Sequence, residues 1–191
     1  DENLRKLSLD FLCESSKYNY SFNFDWLGVP IIQYPQDIIS FQEIVWKIKP
    51  DLIIEFGIAR GGSLIYSASL LALIGLCENK ETHRKVLGID IDIRAHNKLE
   101  LLKHPLSKNI EMIEGSSLDT KIIKKVNDFS KSFKNILVCL DSNHTHYHVL
   151  EELNAYANLA SINSYCLVFD TVIEDMPKEL TENREWGPAN S

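Results

Sequence analysis

Pro50-Asp51-Leu52-Ile53-Ile54-Glu55-Phe56-Gly57-Ile58-Ala59-Arg60-Gly61-Gly62-Ser63 is the stretch on which the fold turns. An apolar run of strand length, Leu52 to Phe56, passes without alternation into a glycine-bearing loop, and a helical pattern begins at Ser63. A strand that is apolar on both faces must be covered on both, which is the habit of a parallel sheet. The glycines open backbone conformations and close approaches denied to other residues, and the helix start leaves N–H groups for a carboxylate or phosphate. The plainer reading of the same loop is a tight turn with close helix packing. The dinucleotide fingerprint fails, because the next glycines after Gly57 are Gly61 and Gly62, and no Gly-Lys-Ser/Thr follows to make a P-loop.

Working outward, four further runs read as strands: Val86 to Asp90, Ile110 to Ile113, Ile136 to Leu140 and Tyr165 to Phe169. Between them the period and boundary signals predict helices over Ser63 to Leu76, Ala95 to Leu102, Leu118 to Phe133 and His146 to Ala157. Alternating strands and helices with connections this long imply an α/β fold with a doubly wound, mostly parallel sheet. An earlier helix, Ile38 to Ile48, ends before Pro50 and is expected against the sheet edge. Residues 1–36, rich in aromatics and holding Pro30 and Pro35, read as an N-terminal cap or lid, and 37–191 as the Rossmann-like domain.

Composition bounds the function. The 191 residues carry 27 acidic against 20 basic side chains, a net charge of −7, so a nucleic-acid binder working through a basic footprint is not expected. The most apolar segment, Ser63 to Cys77, is broken by Ser67, Ser69 and Gly75 and falls short of the ~20 residues that cross a bilayer. Cys13, Cys77, Cys139 and Cys166 form no C-x-x-C pair, which favours a reducing, cytoplasmic setting. The chain opens on Asp1 and closes on Gly187-Pro188-Ala189-Asn190-Ser191, the look of a fragment.

In doubly wound folds ligands bind beyond the carboxyl ends of the strands, so the loops there hold the candidates. The first loop offers Glu55, Gly57, Arg60, Gly61, Gly62 and Ser63. The second offers Asp90 and Asp92, where a carboxylate would accept the hydroxyls of a ribose, although Asp92 reads equally as a solvated strand end. In the third, Ser116 and Ser117 would meet an adenine edge, or Ser117 would simply cap the next helix. The fourth gathers Asp141, Ser142, Asn143, His144, His146 and His148. His144 and His148 would share a helical face and could in principle hold zinc, but there is no H-E-x-x-H. A solvated helix start fits His146 and His148 better than His144. Asp141 and Asp170 close adjacent strands, so their carboxylates would converge on one hard cation or else share a proton.

Taken in order, the motifs Pro50 to Ser63, Gly88-Ile89-Asp90-Ile91-Asp92, Leu140-Asp141-Ser142-Asn143-His144 and Phe169-Asp170-Thr171 resemble the cephalosporin hydroxylase/rhamnosyl O-methyltransferase family. Gln33-Tyr34-Pro35-Gln36-Asp37 and Trp46 fit as well. The resemblance spans roughly residues 26–188. It implies the class I methyltransferase fold, S-adenosylmethionine as cofactor and Mg²⁺ held by carboxylates. Glu55, Gly57 and Gly61 would hold the methionine part of the cofactor, Asp90 the ribose, Ser116 or Ser117 the adenine side, and Asp141 and Asp170 the metal. The family often has a Glu-Asp pair where this chain has Phe169-Asp170, so one ligand is open. Such folds end with two further strands, so the resemblance implies that the C-terminal strands are missing, with Arg184-Glu185-Trp186-Gly187-Pro188 resembling the start of the next loop.

The implied reaction is methyl transfer to a hydroxyl of a sugar, glycolipid or polysaccharide, or of a small secondary metabolite, with Asp141 steering the metal and His144 as base. Tyr18, Tyr20, Trp26 and Tyr34 would stack on a sugar face or be plain packing. The reading also admits a homo-oligomer. Three alternatives stand beside it. An iron(II) hydroxylase would need a His-x-Asp/Glu element, which none of the six histidines provides. A binding module without chemistry is suggested by Phe169, and a nicotinamide enzyme by the fold alone.

Overall fold

The computed structural model describes residues 1–79 and 83–180. The chain opens with α1 (Glu2–Ser16), capped by Asp1, whose carboxylate accepts from the Asn3 and Leu4 amides. A short antiparallel hairpin follows, β1 (Phe24–Trp26) and β2 (Val29–Ile31), turned by Leu27 and Gly28 at φ +49° and +85°. Both turn residues in the left-handed region match the twist that a two-residue hairpin needs. Then α2 (Pro35–Ile48) starts with its proline in the first turn, where no N–H is missed.

The remaining elements alternate: β3 (Leu52–Phe56), α3 (Gly62–Glu78), β4 (Lys85–Asp90), α4 (Ala95–Lys103), β5 (Ile110–Glu114), α5 (Thr120–Ser130), β6 (Ile136–Leu140), α6 (His146–Tyr156) and β7 (Cys166–Val168). The five strands form one parallel sheet in the order β5-β4-β3-β6-β7, as the unbroken apolar runs predict. Alternate residues of β3 feed two cores. Ile53 joins α2, α3 and the hairpin on one face, while Leu52, Ile54 and Phe56 join α5 and α6 on the other. The strand order reverses at β3, with β4 leading one way and β6 the other, and the crevice beyond the carboxyl ends of β3 and β6 is where such a sheet binds ligands.

Three expectations need amending. The fifth helix is shorter than Leu118 to Phe133, because Asp119 caps it, accepting from the Lys121 amide at 2.7 Å; Ser117 is not the cap. Part of the 1–36 segment is core and not cover: Val29 and Ile31 are buried, and Trp26 stands edge-on to Tyr66 with its indole N–H donating to Ser69. Trp26 is thereby packing, and Tyr20 packs edge-on to Phe11 and Phe24. Helix α1 has no buried residue of its own, and with α2 and the end of β7 it frames a groove of about 610 Å³. The stretch Arg184 to Pro188 lies outside the described residues.

Candidate functional site

The loop after β3 is held in shape by its own protein surroundings. Gly57, Ala59 and Gly61 all take positive φ, +97°, +47° and +89°. For Ala59 that conformation costs about 1–2 kcal/mol and needs external support. Asp90, at the end of β4, gives it: Oδ2 accepts from Ile58 N at 2.7 Å and Ala59 N at 3.1 Å. On the other side of the same residue the buried Asn97 of α4 donates to the Ala59 carbonyl at 2.9 Å. The glycines are demanded by close packing. A Cβ on Gly57 would lie 2.0 Å from the Asp141 carbonyl oxygen, one on Gly61 would strike Leu101, and one on Gly62 would strike the Pro30 backbone of the hairpin.

Glu55 lies almost wholly buried under this loop, its carboxylate accepting from the Ser63 hydroxyl. Burial pushes its pKa from the ordinary 4.5 up to about 7, against the lowering effect of Ser63 and Ser67. Asp92 is exposed, and its amide donates to Asp90 Oδ1 at 3.1 Å. Arg60 is also exposed. Ser116 and Ser117 follow β5, and only Ser116 keeps its hydroxyl within its own turn, near the Leu118 amide. Ser117 is buried, with its hydroxyl 3.2 Å from His148 Nε2 and its carbonyl accepting from Tyr156.

Across the crevice, the ends of β6 and β7 bring Asp141, His144 and Asp170 together. One ligand atom from each lies within 4.8 Å of the others. His144 Nε2 is 3.3 Å from Asp170 Oδ2 and 3.9 Å from Asp141 Oδ1. Asp141 is held well above the usual carboxylate range by burial, then by the charges of Asp170, Glu55 and Asp37, and Gln33 offsets part of this by donating to its Oδ2 at 2.8 Å. Asp37 is raised in turn by partial desolvation and by Asp170. Asp170 sits in the open, at φ +57°, whereas Asp141 is half-buried. Pro30, Gly57 to Ser63, Asp141, His144 and Asp170 line one cleft of about 130 Å³. A larger groove of about 350 Å³ adjoins it and shares Ile32, Gln33 and Asp170.

The structure thus brings the loop after β3, Asp141 and Asp170 to one place and adds His144 as a third donor, where the sequence left one ligand open. His144 and His148 do not share a face. His144 precedes α6 and turns to the carboxylates, whereas His148 is held by the fully buried Glu152 at 3.1 Å and is no solvated helix start. Asn97, Gln33 as the partner of Asp141, and Glu152 were missed. Asn97 and Glu152 did leave a signal, since each is a polar residue on a helix position whose spacing points inward.

The family described as Rhamnosyl O-methyltransferase/CmcI matches residues 18–191. The rhamnosyl O-methyltransferase of Mycobacterium tuberculosis strain ATCC 25618/H37Rv is 30% identical over 158 residues, covering 80% of this chain and 58% of the relative. The chain therefore spans less than two thirds of the curated relatives it matches. Among solved structures, CmcI with Mg and SAM superposes with a TM-score of 0.55 at 18% identity, over 84% of this chain and 64% of that one. The MycE methyltransferase of the mycinamycin pathway, with Mg and SAH, gives 0.54 at 16% over 89% and 41%. At these identities the likeness speaks for the fold, an α/β domain of the class I methyltransferase type.

Proposed function

Because the chain belongs to the rhamnosyl O-methyltransferase/CmcI family, we propose that it is an O-methyltransferase, moving the methyl group of S-adenosylmethionine to a hydroxyl oxygen of a sugar, glycolipid or surface polysaccharide, or of a small secondary metabolite. The observation that carries this reading is the one cleft shared by the loop after β3 and the Asp141, His144 and Asp170 cluster. A cofactor with a sulfonium and an ammonium group fits an acidic cleft, and the names of two structural neighbours include this cofactor or its product together with Mg. The setting is cytoplasmic in this reading: four free cysteines suit a reducing compartment, and no described helix is long and apolar enough to cross a membrane.

The residues divide the work. Glu55, Gly57 and the turn Arg60 to Ser63 take the methionine end, with loop N–H groups available to its carboxylate. Asp90 keeps about one acceptor site, on Oδ1, for the ribose beyond the three bonds it already accepts, with Asp92 beside it, and the Ser116–Ser117 turn borders the adenine. Two carboxylates and the charge that lifts the Asp141 pKa fit a hard divalent cation. Asp141 and Asp170 would hold Mg²⁺, which when bound makes an acceptor hydroxyl easier to deprotonate. His144 takes the proton that the hydroxyl gives up, and Asp170 at 3.3 Å steadies the imidazolium.

The same short approach favours a second role for His144, as third ligand in place of the missing carboxylate. His144→Ala separates the two, because loss of a ligand diminishes the Mg²⁺-induced rise in melting temperature while loss of a base leaves that rise and removes turnover alone. A facial triad of two imidazoles and one carboxylate is not what this cluster offers, which weighs against the iron hydroxylase. Calorimetric titration with S-adenosylmethionine, S-adenosylhomocysteine and NAD tests the whole reading. Binding of both adenosyl compounds is expected; binding of NAD alone overturns it.

A further inference from the structure

Helix α6 presents His148, Glu152 and Tyr156 four residues apart, hence on one face. Glu152 has no exposed surface, and among the described residues its Oε2 has no hydrogen-bond partner. Its Oε1 accepts from Ser142 Oγ at 2.8 Å and lies 3.1 Å from His148 Nε2. The same His148 nitrogen is 3.2 Å from Ser117 Oγ and 3.4 Å from Ser142 Oγ. One turn further on, the Tyr156 hydroxyl donates to the Ser117 carbonyl, and its ring packs 4.2 Å, centroid to centroid, from Phe56 just before Gly57. A buried carboxylate is costly unless it finds partners, and here Ser142 and His148 serve it, with His148 in turn reaching Ser117.

We propose that His148 and Glu152 are positioning residues, which tie the turn Gly115 to Leu118 beyond β5 to the turn beginning at Asp141 beyond β6. The two turns come from strands on opposite sides of β3 and are joined to each other through this helix face. The tie fixes the separation of the adenine-side turn and the residue next to Asp141. Its role in cofactor binding rests on the methyltransferase reading above. Ser142 and Ser117 are the points of contact, and neither His148 nor Glu152 needs to touch the cofactor.

The test uses the full 191-residue chain and S-adenosylhomocysteine as probe. His148→Ala is expected to weaken binding about tenfold in calorimetry. His148→Gln, whose amide N–H can still donate to Glu152, is expected to recover it to within about threefold. Ser142→Ala, which removes the bond donated to Glu152 and leaves His148 in place, is expected to lie between them. Hydrogen exchange in His148→Ala is expected to quicken at Gly115 to Leu118 and at Ser142 to Thr145 while the β3 and β4 amides stay protected. Affinity unchanged by His148→Ala overturns the inference alone, as does exchange that quickens evenly through the sheet or a His148→Gln no better than alanine. A wild-type chain that takes up no S-adenosylhomocysteine overturns the methyltransferase reading and the cofactor role of the tie with it.

Discussion

The two halves of the cleft are built on opposite electrostatic terms. On the side of β3 and β4, Asp90 is answered by the N–H groups of Ile58, Ala59 and Asp92, and the loop is complete without any visitor. On the side of β6 and β7, Asp141 lies among Asp170, Glu55 and Asp37, with Gln33 as a neutral donor and His144 as the ion-pair partner found among the described residues. One half is therefore part of the fold's stability, and the other gathers like charges that the proposed cation would relieve. Substitutions in the first should cost stability. Substitutions in the second should raise stability and cost function, the trade expected where a site is strained for a purpose.

The largest effect is expected at the seam between the halves. Gly57 combines φ +97° with a Cβ position 2.0 Å from the Asp141 carbonyl oxygen. Relief would require the loop after β3 and the loop after β6 to part, and their contact is set by the β3 to β6 pairing, continued where Asp141 N donates to the Phe56 carbonyl at 2.9 Å. Gly57→Ala should lower unfolding free energy by ~4 kcal/mol or more, or leave no folded chain. Denaturant titration checks it. A loss below about 1 kcal/mol, the ordinary scale for a point substitution, would show that the halves are not rigidly apposed.

A middling effect is expected at Glu55, the one place where the first half shares the predicament of the second. Its carboxyl is displaced from 4.5 to about 7 by burial. The folded chain then keeps a proton that the unfolded chain releases above about pH 4.5. Stability falls as pH rises from there to about 7 and then levels off, a contribution of about 3 kcal/mol in all. Glu55→Gln should remove that share of the slope, so that melting temperatures at pH 5.5 and 7.5 draw together relative to the wild type. An unchanged slope would mean that Glu55 keeps its charge in the fold, and would move it to the self-satisfied half beside Asp90.

What was legible in the sequence follows the same division. Buried parallel strands announce themselves through unbroken runs such as Ile136 to Leu140, because covering both faces removes the alternation. Asp141 and Asp170 were legible because adjacent strands place their ends side by side whatever the side chains do. The partners were not. Gln33 reaches Asp141 from 108 residues away, and although Asn97 and Glu152 stand at inward-facing helix positions, that spacing does not say which groups they bond. The glycines read either for a ligand's approach or for a tight turn with close packing, and the neighbours their missing Cβ atoms would meet, Asp141, Leu101 and Pro30, are contacts that exist only once the chain is folded. His144 was read as a base from its nearness to a strand end, and only the 3.3 Å approach to Asp170 makes it also the third donor.

The smallest effect, and the one that decides the comparison, is expected at Asp141. Asparagine has the same shape, keeps an oxygen to accept from Gln33, and carries no charge for Asp170, Glu55 and Asp37 to oppose. In metal-free buffer Asp141→Asn should be more stable than the wild type by roughly 1 kcal/mol, a rise of about 2–4 °C in melting temperature for a chain of this size. Added Mg²⁺ should then raise the melting temperature of the wild type, since a ligand that binds only the folded state stabilises it, and should leave Asp141→Asn where it was. S-adenosylhomocysteine binding should survive the substitution nearly intact, because the loop after β3 is held by Asp90 and Asn97 and not by the charge across the cleft. A variant that melts below the wild type would make Asp141 a structural residue of the seam, and the two halves would then be one.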